Sequence, residues 1–295
     1  MNLAVVDGFE IVRVEGAPDE RFQAGSVSKT VAALTALRLV ASGAVDLDAD
    51  VNERLTSWQL PDGTGVTLRH LLGHTAGLGV PFFPGYGDGE ALPTLVQVLD
   101  GEPPATTAPV RVETPPGSAF VYSGGGYALV QQLVGDVAGA PFADVAAELV
   151  LEPLGMDASS FFQRRGAWHR YPEEAAAGLW TTPSDLARFV VAVQRGAGAT
   201  EAMITPHRAL PAEGEWTMLR SLCFEPLDHA GLGLFLSESG WFINLGGAFG
   251  FFSGLFGSLE GGNGVVVMTV GRASPEFFAT VLAIADEHGW SGLRA

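Results

Sequence analysis

Short apolar runs bounded by glycine or polar turns mark the two ends of the chain, and apolar positions recur with helical spacing between them. The opening runs "LAVVD" and "EIVRVE", parted at Gly8 and followed by the polar turn "GAPDE", predict two antiparallel strands. From Val27 to Ser42 the apolar positions Val31, Leu34, Leu37 and Ala41 keep the period of a helix, and Gly43 stands where a left-handed residue would end it. "LDADVNERL" and "TLRHLLGHTAGL" predict short helical pieces, whereas residues 80 to 120, rich in Pro, Gly and Thr, predict long loops. "GGYALVQQLVGDVAGAPFADVAAELVLEPLGM" predicts two helices parted at "GAP". In "TTPSDLARFVVAVQRG", Thr182 suits an N-cap, Pro183 the first helical position and Asp185 the reciprocal cap, for a helix ending near Gly196. The later runs "GLGLFLS", "GWFINLGG", "FFSGLFGSLE" and "GVVVMTVG" predict successive strands with glycine turns, and "PEFFATVLAIADEHG" predicts a closing helix.

Strands from both ends around a mainly helical middle give an α/β (α+β) fold. An antiparallel sheet domain, flanked by helices, comes from residues 1–60 and 166–295, with a helical insertion over 61–165. At 295 residues, 47% of them apolar, the chain can bury a large core. Its net charge of −17 disfavours nucleic acid and anionic membranes as partners. A single cysteine, Cys223, leaves no internal disulfide and reads as a small core residue; "MNLAVVDGFEIV" lacks the basic and apolar regions of an export signal. Both predict a cytoplasmic protein. No run of eighteen uninterrupted apolar residues occurs, so no membrane span is expected.

The charge inventory contains one oddity: of sixteen basic residues, only Lys29 is a lysine. It lies in "GSVSKT". A phosphate loop would need glycine at positions 28 and 23, where the chain has Ser28 and Gln23. A solvated surface lysine is the ordinary alternative, but this chain uses arginine at every other basic position. The third reading is S-x-x-K chemistry, with Ser26 and Lys29 one helical turn apart and within hydrogen-bond reach. Only an amine can lose its proton when its surroundings disfavour charge; a guanidinium stays protonated. The helix N-terminus favours a developing serine alkoxide, and the amide of Ser26 can donate to an oxyanion.

Six segments in order strengthen that reading: "GSVSKTVAALTALRLVASGAVDLDADV", "TLRHLLGHTAGL", "PPGSAFVYSGGGYALVQQLVGDVAG", "EPLGMDASSF", "AAAGLWTTPSDLARFVVAV" and "NLGGAFGFFSGLFG". Together they resemble the serine β-lactamase-like family of class C β-lactamases, D-Ala-D-Ala carboxypeptidases, esterases and acyltransferases, with its β-lactamase/transpeptidase-like fold. The resemblance implies that Ser26 is the acylated nucleophile, Lys29 its activating amine, and Tyr122 the tyrosine of the family's Y-x-N motif. Which of Lys29 and Tyr122 takes the first proton stays open at this level. Two positions depart from the family pattern. The Y-x-N asparagine is Gly124, and the Lys-Thr-Gly or His-x-Gly strand motif reads Asn244-Leu245-Gly246, without a cation for a substrate carboxylate. Gly246 permits close approach and the amide of Gly247 becomes the second oxyanion donor; Asn244 reads either as a site hydrogen-bonder or as a structural strand residue. The family's leading helix is not evident before the first strand.

His74, in "GHTAGL", reads as structural rather than as a triad base, and His169, His207, His229 and His288 have no ligand-like spacing, so no metal and no cofactor are expected. Phe249 is assigned to the pocket wall; "FFPGYG" at 82–87 reads as an apolar wall or as a loop packed on its own domain. The expected function is serine-dependent acyl transfer from a small-molecule ester or amide, foremost as an esterase or amidohydrolase. Alternatives are a biosynthetic acyltransferase and a catalytically weak binding protein of the same fold. The acyl donor, the acceptor and the oligomeric state are not encoded legibly.

Overall fold

In the computed structural model, which describes residues 1–61, 65–162, 168–211 and 227–293, the two ends of the chain meet in one sheet. The N-terminal hairpin is β1 (Asn2–Asp7) and β2 (Glu10–Glu15). Then follow β3 (Phe22–Gln23), a single 3-10 turn at Gly25–Val27, α1 (Ser28–Ala41), α2 (Leu68–Leu72), α3 (Leu95–Asp100), α4 (Gly124–Ala138) and α5 (Phe142–Ala146). The remainder contains α6 (Glu174–Ala177), β4 (Trp180–Thr181), α7 (Pro183–Gln194), α8 (Ala199–Ile204), β5 (Arg208–Ala209), β6 (Leu227–Ala230), β7 (Phe235–Ser237), β8 (Trp241–Ala248), β9 (Phe251–Ser258), β10 (Gly264–Val270) and α9 (Pro275–His288). Eight strands pair in the order β2-β1-β10-β9-β8-β7-β6-β5, every pair antiparallel, while β3 and β4 form a separate ribbon. The expected α/β class with a large antiparallel sheet is the one observed. All eight sheet strands come from outside residues 61–165, and α2 to α5 from within them.

Both faces of the sheet are covered, which explains why its central strands carry uninterrupted apolar runs instead of alternation. Ala4, Val6, Val266 and Met268 face the main core with α1, α4 and α7; Leu3, Val5, Val265 and Val267 face a second core with Phe277, Val281 and Ile284 of α9. Each of these Val, Leu, Ile, Phe and Met side chains, fully buried, contributes about 1.5–3 kcal/mol. The same logic governs α1. Ten consecutive residues from Ser28 to Leu37 are buried, so this helix is enclosed on all sides, and of the predicted stripe only Ala41 lies exposed.

Two expectations are corrected, and two strands go unpredicted. The predicted loop over 80–120 contains α3, whose Thr94 and Gln97 form a reciprocal capping box. Thr182 caps α7 as expected, but the Asp185 carboxylate accepts from Ala158 N, Ser159 Oγ and Arg188 instead of closing the cap. β5 and β6, of two and four residues, are too short for any period to reveal. Cys223 and the boundary expected at 165/166 lie outside the described residues. Among the described residues no helix is long and apolar enough to cross a membrane.

Candidate active site

Ser26 sits half-exposed in the 3-10 turn between β3 and α1, and the turn is held against β8 by close main-chain contact. Gly25 has φ +52°, and a Cβ there would stand 2.5 Å from the Gly247 carbonyl oxygen and 2.8 Å from its nitrogen. From the opposite side, a Cβ on Gly246 would fall 2.9 Å from Ser26 N and into the Ala24 carbonyl. Glycine at both positions lets the strand and the Ser26 turn touch. Ser253 Oγ of β9 donates to the Ala24 carbonyl at 2.7 Å and fastens the contact. Gly247 itself is exposed beside this turn.

One turn along α1, Lys29 Nζ lies 3.1 Å from Ser26 Oγ and donates to the Ala176 carbonyl of α6 at 2.8 Å. The residue is 3% exposed, and burial pulls its amine from 10.5 down to about 7. Ser28, next to it, accepts from Leu179 N at 2.9 Å and so fixes the segment that carries Ala176. The rings of Tyr122 and Tyr127 lie 5.1 and 5.8 Å from the amine.

Tyr122 comes from the residues leading into α4, and its Oη donates to Ser26 Oγ at 2.9 Å. Burial pushes this phenol up to about 12, against a smaller lowering by the Ser26 hydrogen bond. Ser26 Oγ therefore stands between an amine that is easily neutral and a phenol that keeps its proton. Behind Tyr122 lies His74, buried, with φ +55°. Its ring centroid is 4.4 Å from that of Tyr122, its carbonyl accepts from Val121 N at 2.7 Å and its Nδ1 from Ser123 N at 3.2 Å. Burial, and then the charge of Lys29, hold its imidazole well below the ordinary histidine range, so it is neutral. His74 does not touch Ser26 in the hydrogen-bond network; it buttresses the segment that delivers Tyr122.

The N–H groups at the start of α4 are all taken. Ser123 N goes to His74, Gly124 N to the Pro81 carbonyl, Gly125 N to the Val80 carbonyl and Gly126 N to Ser123 Oγ, which itself donates to the Gly79 carbonyl. Val80 adopts φ +60°, a rare conformation for a β-branched residue and one that this docking maintains. The loop also explains Gly124. A Cβ there would meet the Pro81 oxygen at 2.9 Å and the Phe83 ring at 3.1 Å, so the space for a side chain is already filled.

The remaining predicted residues divide. Asn244 is buried, 5% exposed, and its Nδ2 donates to the Gly233 carbonyl at 3.2 Å. Phe249 lies at the tip of the β8–β9 hairpin, 56% exposed, stacked on His169 at 3.8 Å, with its N–H donating to Tyr171 Oη. His169 Nδ1 lies 3.0 Å from the Pro84 carbonyl, tying the hairpin tip to the 82–87 loop. Sequence reasoning missed the Ala176 carbonyl; it read His74 as structural and 82–87 as an apolar wall or a packed loop, without placing His74 or Phe82 beside Tyr122. Among the described residues no three His, Cys, Asp or Glu side chains converge as a metal site.

A family model described as Beta-lactamase matches residues 1–288. Esterase EstB of Burkholderia gladioli is 36% identical over 149 residues, covering 47% of this chain and 38% of that protein. Penicillin-binding protein 4 of Amycolatopsis lactamdurans is 30% identical over 168 residues, covering 56% of this chain and 42% of its own. The matches thus span about two fifths of the length of these relatives. Two solved structures share the fold at TM-score 0.77. The octameric penicillin-binding protein homologue of Pyrococcus abyssi has 22% identity over 98% of this chain and 73% of its own. The D-amino acid amidase of Ochrobactrum anthropi SV3 has 19% identity over 97% and 93%.

Proposed function

This chain belongs to the beta-lactamase family, and from that premise we propose that it is a serine hydrolase that cleaves esters, and amides less readily, through an acyl-Ser26 intermediate. The observation that carries the reading is the double contact of Ser26 Oγ, 3.1 Å from the buried Lys29 amine and 2.9 Å from the Tyr122 phenol. Lys29, about half neutral near pH 7, accepts the Ser26 proton as Oγ attacks the carbonyl carbon. The amides of Ser26 and Gly247 receive the oxyanion. When the bond to the leaving group breaks, its electron pair passes to the leaving oxygen, which takes the Tyr122 proton; Lys29 then returns a proton to Tyr122. Water, activated by the regenerated neutral amine, releases the acid and restores Ser26.

The preference for esters rests on what the pocket lacks. Gly124 supplies no side-chain amide, its place being filled by Pro81 and Phe83, and Asn244 is engaged with Gly233 and carries no charge for a substrate carboxylate. The similarity to an esterase over 149 residues agrees with this choice. Incubation with p-nitrophenyl butyrate or a fluorophosphonate, read by intact mass, tests the proposal. Wild type gains one acyl or phosphonyl group and Ser26→Ala gains none. Absence of label on wild type, with no turnover across an ester and amide panel, would sink the reading.

A further inference from the structure

Phe82 is a large apolar side chain left 60% exposed although its loop is firmly anchored. On one side the Val80 and Pro81 carbonyls are bonded to the start of α4; on the other the Phe83 ring packs on Gly124. The Phe82 ring is therefore presented to solvent by a fixed backbone, and its centroid lies 5.6 Å from that of Tyr122. Tyr122 Oη is in turn 2.9 Å from the nucleophile. An exposed aromatic ring held rigidly beside the reacting atoms is the form that a substrate subsite takes.

The chemistry of the step decides which part of the substrate meets it. The Tyr122 proton must reach the leaving oxygen, so the leaving group rests on the Tyr122 side, against Phe82. We propose that Phe82 forms the leaving-group subsite and selects esters of apolar, aryl-sized alcohols, an inference that rests on the serine-hydrolase reading above. The subsite acts while the alcohol is present and is vacated once the acyl-enzyme has formed. Phe82 therefore governs acylation and has no hold on deacylation.

Phenyl acetate and 2-naphthyl acetate test this directly, because they differ in aryl size, have leaving groups of closely similar acidity and yield the same acetyl-enzyme. Wild type is expected to favour the naphthyl ester about five- to tenfold in kcat/KM. Phe82→Ala brings that ratio to about one and Phe82→Leu falls between, while hydrolysis of the acetyl-enzyme keeps its rate in all three. The exposure of Phe82 leaves folding intact, which a melting curve verifies. If acetyl-Ser26 forms but wild type does not distinguish the two esters, or Phe82→Ala keeps the wild-type ratio, the subsite is refuted and the hydrolase reading stands. If neither ester acylates Ser26 by intact mass and neither is turned over, the hydrolase reading fails and the subsite with it.

Discussion

Replacing Lys29 with arginine keeps a positive charge and removes the ability to lose it. Moving the Lys29 amine from 10.5 to about 7 disfavours its ammonium form by about 5 kcal/mol, a natural consequence of 3% exposure among α1, Tyr122, Tyr127 and the Ala176 carbonyl. At pH 7 about half of the molecules hold a neutral amine, against about one in 2,500 for an unperturbed lysine. The burial thus multiplies available base by about 10³. A guanidinium in the same place stays protonated and loses that factor, and general-base catalysis commonly contributes 10²–10⁴-fold. Stopped-flow acylation by p-nitrophenyl butyrate between about pH 5 and about pH 10 is the assay. Wild-type kcat/KM should climb through an apparent pKa near 7 and then stay level, because Tyr122, pushed up to about 12, keeps its proton throughout. Lys29→Arg should fall by about 10³ or more at the plateau, with a native circular dichroism spectrum as the control. A wild-type profile that is flat below pH 8, or an arginine variant within about tenfold of wild type, would refute Lys29 as the base.

Three further expectations concern the surroundings. Gly25→Ala places a Cβ 2.5 Å from the Gly247 carbonyl oxygen at φ +52°, so β8 must retreat from Ser26; acylation should drop about 100-fold, and a rate within threefold would show the contact to be dispensable. Gly124→Asn restores the family's motif residue into space held by Pro81 and Phe83; it should lose about 1–3 kcal/mol in urea unfolding and gain no amidase activity, and a stable, amide-cleaving variant would contradict the steric account. Glu173 is wholly buried, and burial raises its carboxyl from 4.5 to about 7 against a smaller lowering by its own backbone N–H. Between those values the folded chain holds a proton that the unfolded chain releases. The Glu173 contribution to stability should therefore fall by about 3 kcal/mol as pH rises through that window, and Glu173→Gln, which keeps the parallel contribution of Glu174, should show a slope smaller by that amount. Parallel urea midpoints of the two proteins at both ends of the window would disprove it.

What could be read from the sequence was whatever side chains and short spacings express. Ser26 and Lys29 are one helical turn apart, and Tyr122 sits in a recognisable motif, so the trio was legible before any fold was known. The strands of the sheet were legible too, because glycine turns punctuate their apolar runs; β5 and β6 were too short for that. The partners of the trio were not legible, since the Ala176, Val80 and Pro81 carbonyls are main-chain atoms whose direction no residue letter encodes. Gly124 illustrates the same limit from the other side. In the sequence it reads as a missing amide; in the fold it is the residue that lets the 79–83 loop close on α4 and present Phe82.

The isolation of Lys29 has an experimental consequence as well. Protein made with nitrogen-15 lysine carries its label in one residue, and that residue is the buried amine beside Ser26. A single side-chain resonance, needing no assignment, would follow proton gain and loss at the catalytic centre during titration, acylation and turnover. The scarcity of lysine thus turns Lys29 into an isotopic reporter of its own charge state.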